Sequence, residues 1–140
     1  MDEAWELHCW CLMPNHFHLL VRIKNDPEGL SDPEALNKRI YTAFGNLTNG
    51  YAKAINKAFN RKGGLFIKKF KRKRIGDEYY LRDCIRYIHL NPVHHGFRNS
   101  PGQWNYSSFN EVMKNPGDDR FKEVIAAFTD FEGFLTAHRQ

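Results

Sequence analysis

The sequence predicts an α+β fold in which a β-hairpin precedes a set of helices. Apolar and polar residues alternate with a period of two over Trp5–Leu12 and His16–Lys24, which is the pattern of half-buried strands. Met13–Asn15 has the turn-forming residues that would join these strands. Apolar residues then recur every three or four positions over 35–59 and 77–91, which indicates amphipathic helices.

Local signals set the limits of the first helix and of the element after it. Ser31 is predicted to cap the helix, with Pro33 in its first turn. The glycine-containing turn Asn60–Gly64 is predicted to end it. Leu65–Ile75 is predicted to form a third strand, because apolar residues alternate there with basic ones.

The second long helix is predicted to end at Asn91, because Pro92 disfavours helical geometry in the residue before it. Its core face is a stripe of residues at helical spacing: Leu81, Cys84, Ile85 and Ile88. A loop over residues 99–108 follows, with Trp104 and Tyr106 as its predicted anchors. Two short amphipathic helices are predicted at the end of the chain, over Phe121–Phe128 and Phe131–His138.

Composition indicates a globular chain in a reducing compartment. The 140 residues are 41% hydrophobic, which fits one domain over 1–140, with 110–140 as a helical extension. No apolar run reaches the roughly 18 residues that cross a membrane. The absence of a secretion signal and the sparse cysteines favour a cytoplasmic protein.

The net charge of +5 is concentrated in one part of the chain. Such a cluster is typical of a surface that binds a polyanion such as nucleic acid, although a solvated basic face is the alternative. Interleaved Phe66 and Phe70 favour nucleic acid, since aromatic rings stack on unpaired bases. The predicted DNA-binding residues of this cluster are Arg61, Lys62, Lys68, Lys69, Lys71, Arg72, Lys73 and Arg74.

The predicted second strand carries two histidines on one face. His16 and His18 are two residues apart and therefore point the same way, while Phe17 points to the other side. Two imidazoles on one rigid strand form half of a metal site, although surface or packing histidines remain an alternative. Arg22 shares the face of His18 and is predicted to contact a DNA phosphate.

The second long helix carries a candidate nucleophile. Tyr87 and Asn91 are four residues apart, so both lie on one flank of the helix, and His89 lies on the opposite flank. A tyrosine hydroxyl attacks a phosphate when a divalent metal polarises that phosphate. Asn91 would complete the metal shell with its amide oxygen. An ordinary helix tyrosine and an ordinary residue at a helix end are the alternatives.

Together these segments resemble a known family. Trp10–Val21, Arg61–Phe66, Tyr87–Val93 and Trp104–Phe109 are similar to segments of the REP-associated tyrosine transposases. These enzymes belong to the single-tyrosine HUH transposases, which act on single-stranded DNA. The resemblance extends from about Glu6 to the C-terminus.

The resemblance implies a ferredoxin-like antiparallel sheet with packed helices. It also implies that His16 and His18 bind Mg²⁺ or Mn²⁺, and that Asn91 is the third ligand. Tyr87 would then form a 5′-phosphotyrosine link and leave a 3′-OH, at DNA hairpins flanked by a guide sequence. Glutamine is common at the third ligand position of the wider superfamily, so the shorter Asn91 requires closer packing of helix on strand.

The chain departs from the family at its N-terminus, where relatives have a further strand and helix. An absent strand would expose a sheet edge, which fits a truncated copy, a fragment or an edge that pairs in a homodimer. The rival hypothesis is therefore a degenerate transposase that still binds hairpin DNA. A zinc site formed by Cys9, Cys11, His16 and His18 is a weaker alternative, because its spacing fits no standard zinc module.

Overall fold

The computed structural model describes residues 5–24, 32–66 and 70–139, apart from the side chain of Pro33. Contacts divide the chain into two compact units, one from Met1–Trp5 and Ile23–Lys73 and one from Glu6–Arg22 and Arg74–Gln140. Within the described ranges, no helix combines the length and apolar character that crossing a membrane requires.

The predicted hairpin is confirmed. Strand β1 covers Trp5–Leu12 and strand β2 covers Phe17–Ile23, and the two are neighbours in one sheet. The turn between them is closed by the Met13 N–H, which donates to the His16 carbonyl at 2.8 Å. Strand β2 therefore begins directly after His16.

A short segment near residue 107 pairs with the other side of β1. An antiparallel bridge joins Cys11 to Ser107, and the Leu12 N–H donates to the Tyr106 carbonyl at 2.8 Å. Trp104 is buried and its indole N–H donates to the Leu12 carbonyl at 3.0 Å, so it anchors this segment as predicted. Tyr106 is exposed, so its backbone and not its ring makes the attachment. The described residues thus form a smaller sheet than the resemblance implies.

The first unit contains helix α1, Pro33–Ala58. Its cap is Asp32, whose side chain accepts from the Glu34 N–H; the predicted cap Ser31 lies outside the described residues. The helix ends where Asn60 takes a positive φ of 48°, so Asn60 provides the left-handed residue that stops it.

The predicted strand over Leu65–Ile75 is wrong for the described residues 65–66 and 70–75, which form no strand. The apolar residues of this basic segment pack on α1 instead. The Phe70 ring centre lies 4.4 Å from that of Phe44, and the Phe66 ring centre lies 6.0 Å from that of Tyr51. The alternating pattern therefore reflects anchoring on a helix, and the described residues of this segment pair with neither β1 nor β2.

Helix α2 covers Glu78–His94 and contradicts the predicted end at Asn91, because Pro92 lies inside it. Proline removes one helical hydrogen bond, that of the Ile88 carbonyl. The His95 N–H donates to the Asn91 carbonyl at 3.0 Å and so continues the ladder past Pro92. Gly96, with φ of 74°, then ends the helix in a Schellman motif.

The core of the second unit lies where β1, α2 and the C-terminal helices meet. Three helices follow α2: α3 (Phe109–Lys114), α4 (Lys122–Ala126) and α5 (Phe131–His138). Helix α3 is absent from the sequence prediction, and the other two fall within predicted helical ranges. The buried apolar cluster contains Cys9, Cys11, Met13, Ile85, Ile88, Trp104, Phe109, Val112, Phe121, Val124, Phe128 and Phe134. The proposed division into one domain with an extension over 110–140 stays a prediction.

Candidate active site

The predicted site residues of the hairpin and of α2 lie together in the second unit. The ring centres of His16 and His18 are 5.2 Å apart, and that of Tyr87 is 5.3 Å from His18. Tyr87 keeps 49% of its surface exposed, so a substrate can reach its hydroxyl. Helix α2 and the hairpin thus present a candidate nucleophile beside paired imidazoles.

Asn91 reaches the histidine pair despite its short side chain. Its Oδ1 lies 3.1 Å from His16 Nε2, and the residue is fully buried. Two donors on neighbouring vertices of an octahedral ion, with bonds of about 2.1 Å, lie roughly 3 Å apart. The two atoms are therefore close enough to be ligands of one cation.

The hydrogen bonding of His16 also fits a cation at this point. Its Nδ1 lies 2.7 Å from Asn15 Oδ1, while its Nε2 faces Asn91 Oδ1. A neutral imidazole has one N–H and cannot donate to both oxygens. An N–H toward Asn15 leaves the Nε2 lone pair for a metal, with the Asn91 oxygen beside it. The buried Asn91 Nδ2 has no hydrogen-bond partner within the described ranges. The amide therefore directs its oxygen toward His16, while its N–H groups find no acceptor among those residues.

The electrostatics of the site keep His18 neutral. Burial lowers the pKa of His18, and the nearby imidazoles of His16 and His95 lower it further. An uncharged imidazole has a free lone pair, which is the state that coordinates a metal. The arrangement therefore prepares His18 as a ligand at neutral pH.

The sequence prediction missed a third histidine at this site. The His95 ring centre lies 5.1 Å from that of His16. Because α2 continues past Pro92, His95 lies on the same helix flank as Tyr87 and Asn91, one turn further along. The spacing of four residues through Tyr87, Asn91 and His95 would have predicted the position of His95 if the helix had been extended past Pro92.

A shallow cavity adjoins the other side of Tyr87. Its volume is about 260 Å³, and its lining includes Asp83, Arg86 and His94. The His94 ring centre lies 6.1 Å from that of Tyr87. Tyr87 therefore separates the imidazole cluster from a polar recess.

Arg22 does not face the site as a free cation. It forms an ion pair with Glu123, whose carboxylate also lies 3.7 Å from His8. Its predicted contact with a DNA phosphate requires Glu123 to release it, and it stays a prediction.

The predicted DNA-binding residues that the structure describes lie on exposed surface. Arg72 is fixed on α1: its guanidinium carbon is 3.8 Å from the Tyr41 ring centre, and it donates to the Asn37 amide. Arg61 donates to the Asn56 amide at 3.0 Å. The other described members are Lys62, Lys71, Lys73 and Arg74. Lys68 and Lys69 lie outside the described residues.

The cysteines belong to the core and not to a zinc site. Cys9 and Cys11 are fully buried, and burial raises the pKa of the Cys9 thiol to about 12 and that of Cys11 to about 11. Thiolates are the zinc-binding form. Among the described residues, no three His, Cys, Asp or Glu side chains are arranged to hold a metal, which removes the four-residue zinc hypothesis.

A known protein is similar in sequence to most of this chain. No family model matches it. It is 29% identical over 106 residues to a Haemophilus influenzae protein provisionally named a REP-associated tyrosine transposase. The match covers 74% of this chain and 58% of the relative, so the chain spans little more than half of that protein's length.

A solved structure shares the fold. It is that of a REP-associated tyrosine transposase bound to a REP hairpin, with a TM-score of 0.55 and 19% sequence identity. The match covers 85% of this chain and 63% of the other. This chain resembles the REP-associated tyrosine transposases in sequence and in fold. The predicted resemblance and the predicted α+β class are therefore confirmed.

Proposed function

We propose that this chain is a metal-dependent transposase that nicks single-stranded DNA at hairpin repeats and rejoins it through a 5′-phosphotyrosine intermediate. The observation that carries the proposal is the placement of the exposed Tyr87 ring 5.3 Å from His18. A tyrosine beside two imidazoles and an amide oxygen suits phosphoryl transfer. The likeness to a transposase bound to a REP hairpin supports hairpin DNA as the substrate.

The residues that would hold the metal are His16, His18 and Asn91. Mg²⁺ and Mn²⁺ are the proposed ions, as the family resemblance implies. A bound ion of this kind withdraws charge from the phosphate that is attacked. The buried position of Asn91 supports its role, because packing would hold its amide oxygen in place as a ligand.

The proposed reaction forms one bond and breaks one bond. The Tyr87 oxygen bonds to phosphorus, and the bond from phosphorus to the 3′ oxygen breaks. The phenol proton leaves toward solvent, since Tyr87 is half exposed, and the departing 3′ oxygen takes up a proton. Attack by a 3′-OH on the phosphotyrosine reverses these changes and rejoins the DNA.

Covalent capture of DNA is the experiment that tests this function. Purified protein is incubated with labelled single-stranded DNA hairpins in Mn²⁺ or Mg²⁺, and a denaturation-resistant protein–DNA adduct is measured on a gel. We expect an adduct that disappears when EDTA removes the metal. Adduct formation at the same level in EDTA would contradict a metal-dependent step.

The second candidate is a degenerate transposase that binds hairpin DNA without cutting it. The anchoring of the basic segment favours this candidate. Phe66 and Phe70 hold the segment on α1, and these contacts do not involve Tyr87 or the proposed metal ligands. Binding could therefore persist after catalysis is lost. Strong binding with no adduct, over a broad set of hairpins, would support this candidate.

Both candidates predict that basic residues of the segment bind DNA phosphates. We expect the double variant Lys71→Gln, Lys73→Gln to bind DNA more weakly. Each single-strand phosphate that is no longer neutralised lowers the slope of log Kd against log salt by about 0.7, so the slope should fall by about 1.4. Fluorescence anisotropy between low and moderate salt measures both changes. Lys114→Gln with Lys122→Gln removes the same charge from exposed positions elsewhere and should leave the slope unchanged. Equal slopes for the two double variants would exclude the segment as the phosphate-binding surface.

A further inference from the structure

Three aromatic rings contact one another beyond the end of α2, and two of them are exposed. The ring centre of Trp104 lies 5.8 Å from that of Phe97 and 5.7 Å from that of Tyr106. Trp104 is 8% exposed, whereas Phe97 keeps 44% and Tyr106 keeps 63% of its surface exposed. In this aromatic cluster a buried ring thus supports two rings that are open to solvent.

Backbone hydrogen bonds attach the two exposed rings to the elements of the candidate active site. The Phe97 N–H donates to the Pro92 carbonyl at 2.9 Å, in the last turn of α2. The Tyr106 carbonyl accepts from the Leu12 N–H at 2.8 Å, and Leu12 ends β1 just before the turn that leads to His16. The cluster is therefore fixed to α2 and to the hairpin, which carry the proposed metal ligands, within one unit of the chain.

The charge of this surface suits a polyanion. The sequence has no aspartate or glutamate over residues 7–25 and 84–110, the two segments that form the active site and the cluster. Arg98 belongs to the second segment and is exposed, and its guanidinium carbon lies 5.5 Å from the Trp104 ring centre. Contact with a ring face orients a guanidinium. The cluster thus combines exposed rings with a cation that can bind a phosphate.

We propose that Phe97 and Tyr106 form a stacking site for unpaired bases of single-stranded DNA, with Arg98 on a phosphate of the same strand. The inference rests on the proposed function, which provides single-stranded DNA as the ligand, and it assigns a site for bases beside the active site. Every base has a π-face, so aromatic rings bind unpaired bases with little regard to their identity. Both rings are already exposed, so the site needs no rearrangement.

DNA hairpins with normal and abasic tails test the stacking. Fluorescein-labelled hairpins carry an unpaired tail at the 5′ or the 3′ end, and fluorescence anisotropy measures their Kd for the full-length protein. Loss of one stacked base should raise the Kd about 5–150-fold. We therefore expect Phe97→Ala and Tyr106→Ala each to raise the Kd of at least one normal tail about fivefold or more. An abasic tail keeps its phosphates but has no bases, so both variants should bind it as the wild type does.

Further variants separate stacking from a structural effect. Tyr106→Phe keeps the ring and should recover most of the affinity that Tyr106→Ala loses. Tyr106→Leu is apolar but has no ring, so it should not recover that affinity, and it tests the site if the alanine variant unfolds. Tyr79→Ala removes a 77% exposed ring at the other end of α2 and should leave the Kd unchanged. Thermal melting checks that each variant is folded.

The outcomes distinguish this site from the proposed function. Equal losses on normal and abasic tails, or no loss in any variant without the ring, would overturn the stacking site. Unchanged DNA binding, with a wild-type dimer that dissociates in Phe97→Ala on gel filtration, would assign the cluster to a second copy of the chain instead. If the wild type forms the covalent adduct while the variants bind DNA normally, the proposed function stands without the site. Loss of tail binding in the variants, with no adduct in the wild type, would support the site in a degenerate transposase.

Discussion

Replacing Tyr87 with phenylalanine is expected to abolish the covalent protein–DNA adduct while hairpin binding persists. The variant loses only the hydroxyl oxygen that would bond to phosphorus, and the ring contact with His18 is kept. Removal of a covalent nucleophile costs at least about 10³-fold in rate, so adduct should fall below detection. Gel analysis after denaturation measures the adduct, and anisotropy measures binding.

Tyr79→Phe is the matched control for this change. Tyr79 belongs to the same helix and is 77% exposed, so it has the surface access of a nucleophile without the neighbouring imidazoles. We expect its adduct level to equal that of the wild type. Adduct retained in Tyr87→Phe but lost in Tyr79→Phe would reassign the nucleophile to the start of α2.

The hairpin and its histidines were predictable because strand periodicity fixes side-chain direction. A period of two places His16 and His18 on one face whatever the rest of the fold does. The turn at Met13–Asn15 has few alternatives because Pro14 and Asn15 are both turn residues. The contact between Asn91 and His16 joins residues 75 positions apart, so no local pattern predicts it. It was expected because the two residue types suit one metal site and because the family resemblance implies that site.

The rule that a residue before proline avoids helical geometry failed at Asn91. Because of that failure, the position of His95 beside His16 was not predicted. The rule describes a local steric preference and not an absolute exclusion. Burial of Asn91 and Pro92 in the folded chain offsets that preference, so tertiary packing decides where the helix ends. With the helix predicted to end at Asn91, His95 has no predicted direction.

The basic segment shows a different limit of sequence patterns. Alternation of apolar and charged residues predicts one buried side, but it does not say what covers that side. Phe70 packs against Phe44 of α1, which a strand or an extended coil can do equally well. The predictions of the physiological metal, of a cytoplasmic setting and of a monomer or homodimer stay predictions.

The C-terminal helix contains a histidine that the sequence did not mark as structural. His138 is 4% exposed, and its Nε2 lies 3.0 Å from Nδ1 of the fully buried His89. His89 Nε2 in turn lies 2.8 Å from the Ser108 hydroxyl. A residue near the end of a chain is usually exposed, so the burial of His138 is not expected from its position in the sequence.

The hydrogen bonds of this buried row can all be formed by two neutral imidazoles. The Phe134 carbonyl only accepts, so His138 Nδ1 carries its proton, at 2.8 Å. His138 Nε2 is then an acceptor for the His89 Nδ1–H, and the Ser108 hydroxyl and the Cys9 thiol both lie within hydrogen-bond distance of His89 Nε2. Burial of the two rings disfavours a second proton on either of them.

Acid is therefore expected to destabilise the second unit through His89 and His138. Burial lowers the pKa of His138 from 6.5 to about 4, and burial with the nearby His138 lowers the pKa of His89 well below 6.5. Unfolded histidines titrate near pH 6.5, so between that pH and about 4 the unfolded state binds more protons and stability falls as the pH falls. His138 alone should lower the free energy of unfolding by about 3 kcal/mol at pH 4 relative to pH 7.

Urea unfolding at pH 7, 6, 5 and 4 measures this loss, and two glutamine variants identify its source. His138→Gln keeps a donor for the Phe134 carbonyl and an acceptor for His89, but it does not titrate. Its stability should therefore decline less steeply with acid than that of the wild type, although it starts lower at pH 7 because its packing is imperfect. His94→Gln removes an exposed histidine and should reproduce the wild-type decline. Parallel declines for all three proteins would show that the acid sensitivity comes from groups other than the buried row, because only His138→Gln removes a titrating member of that row.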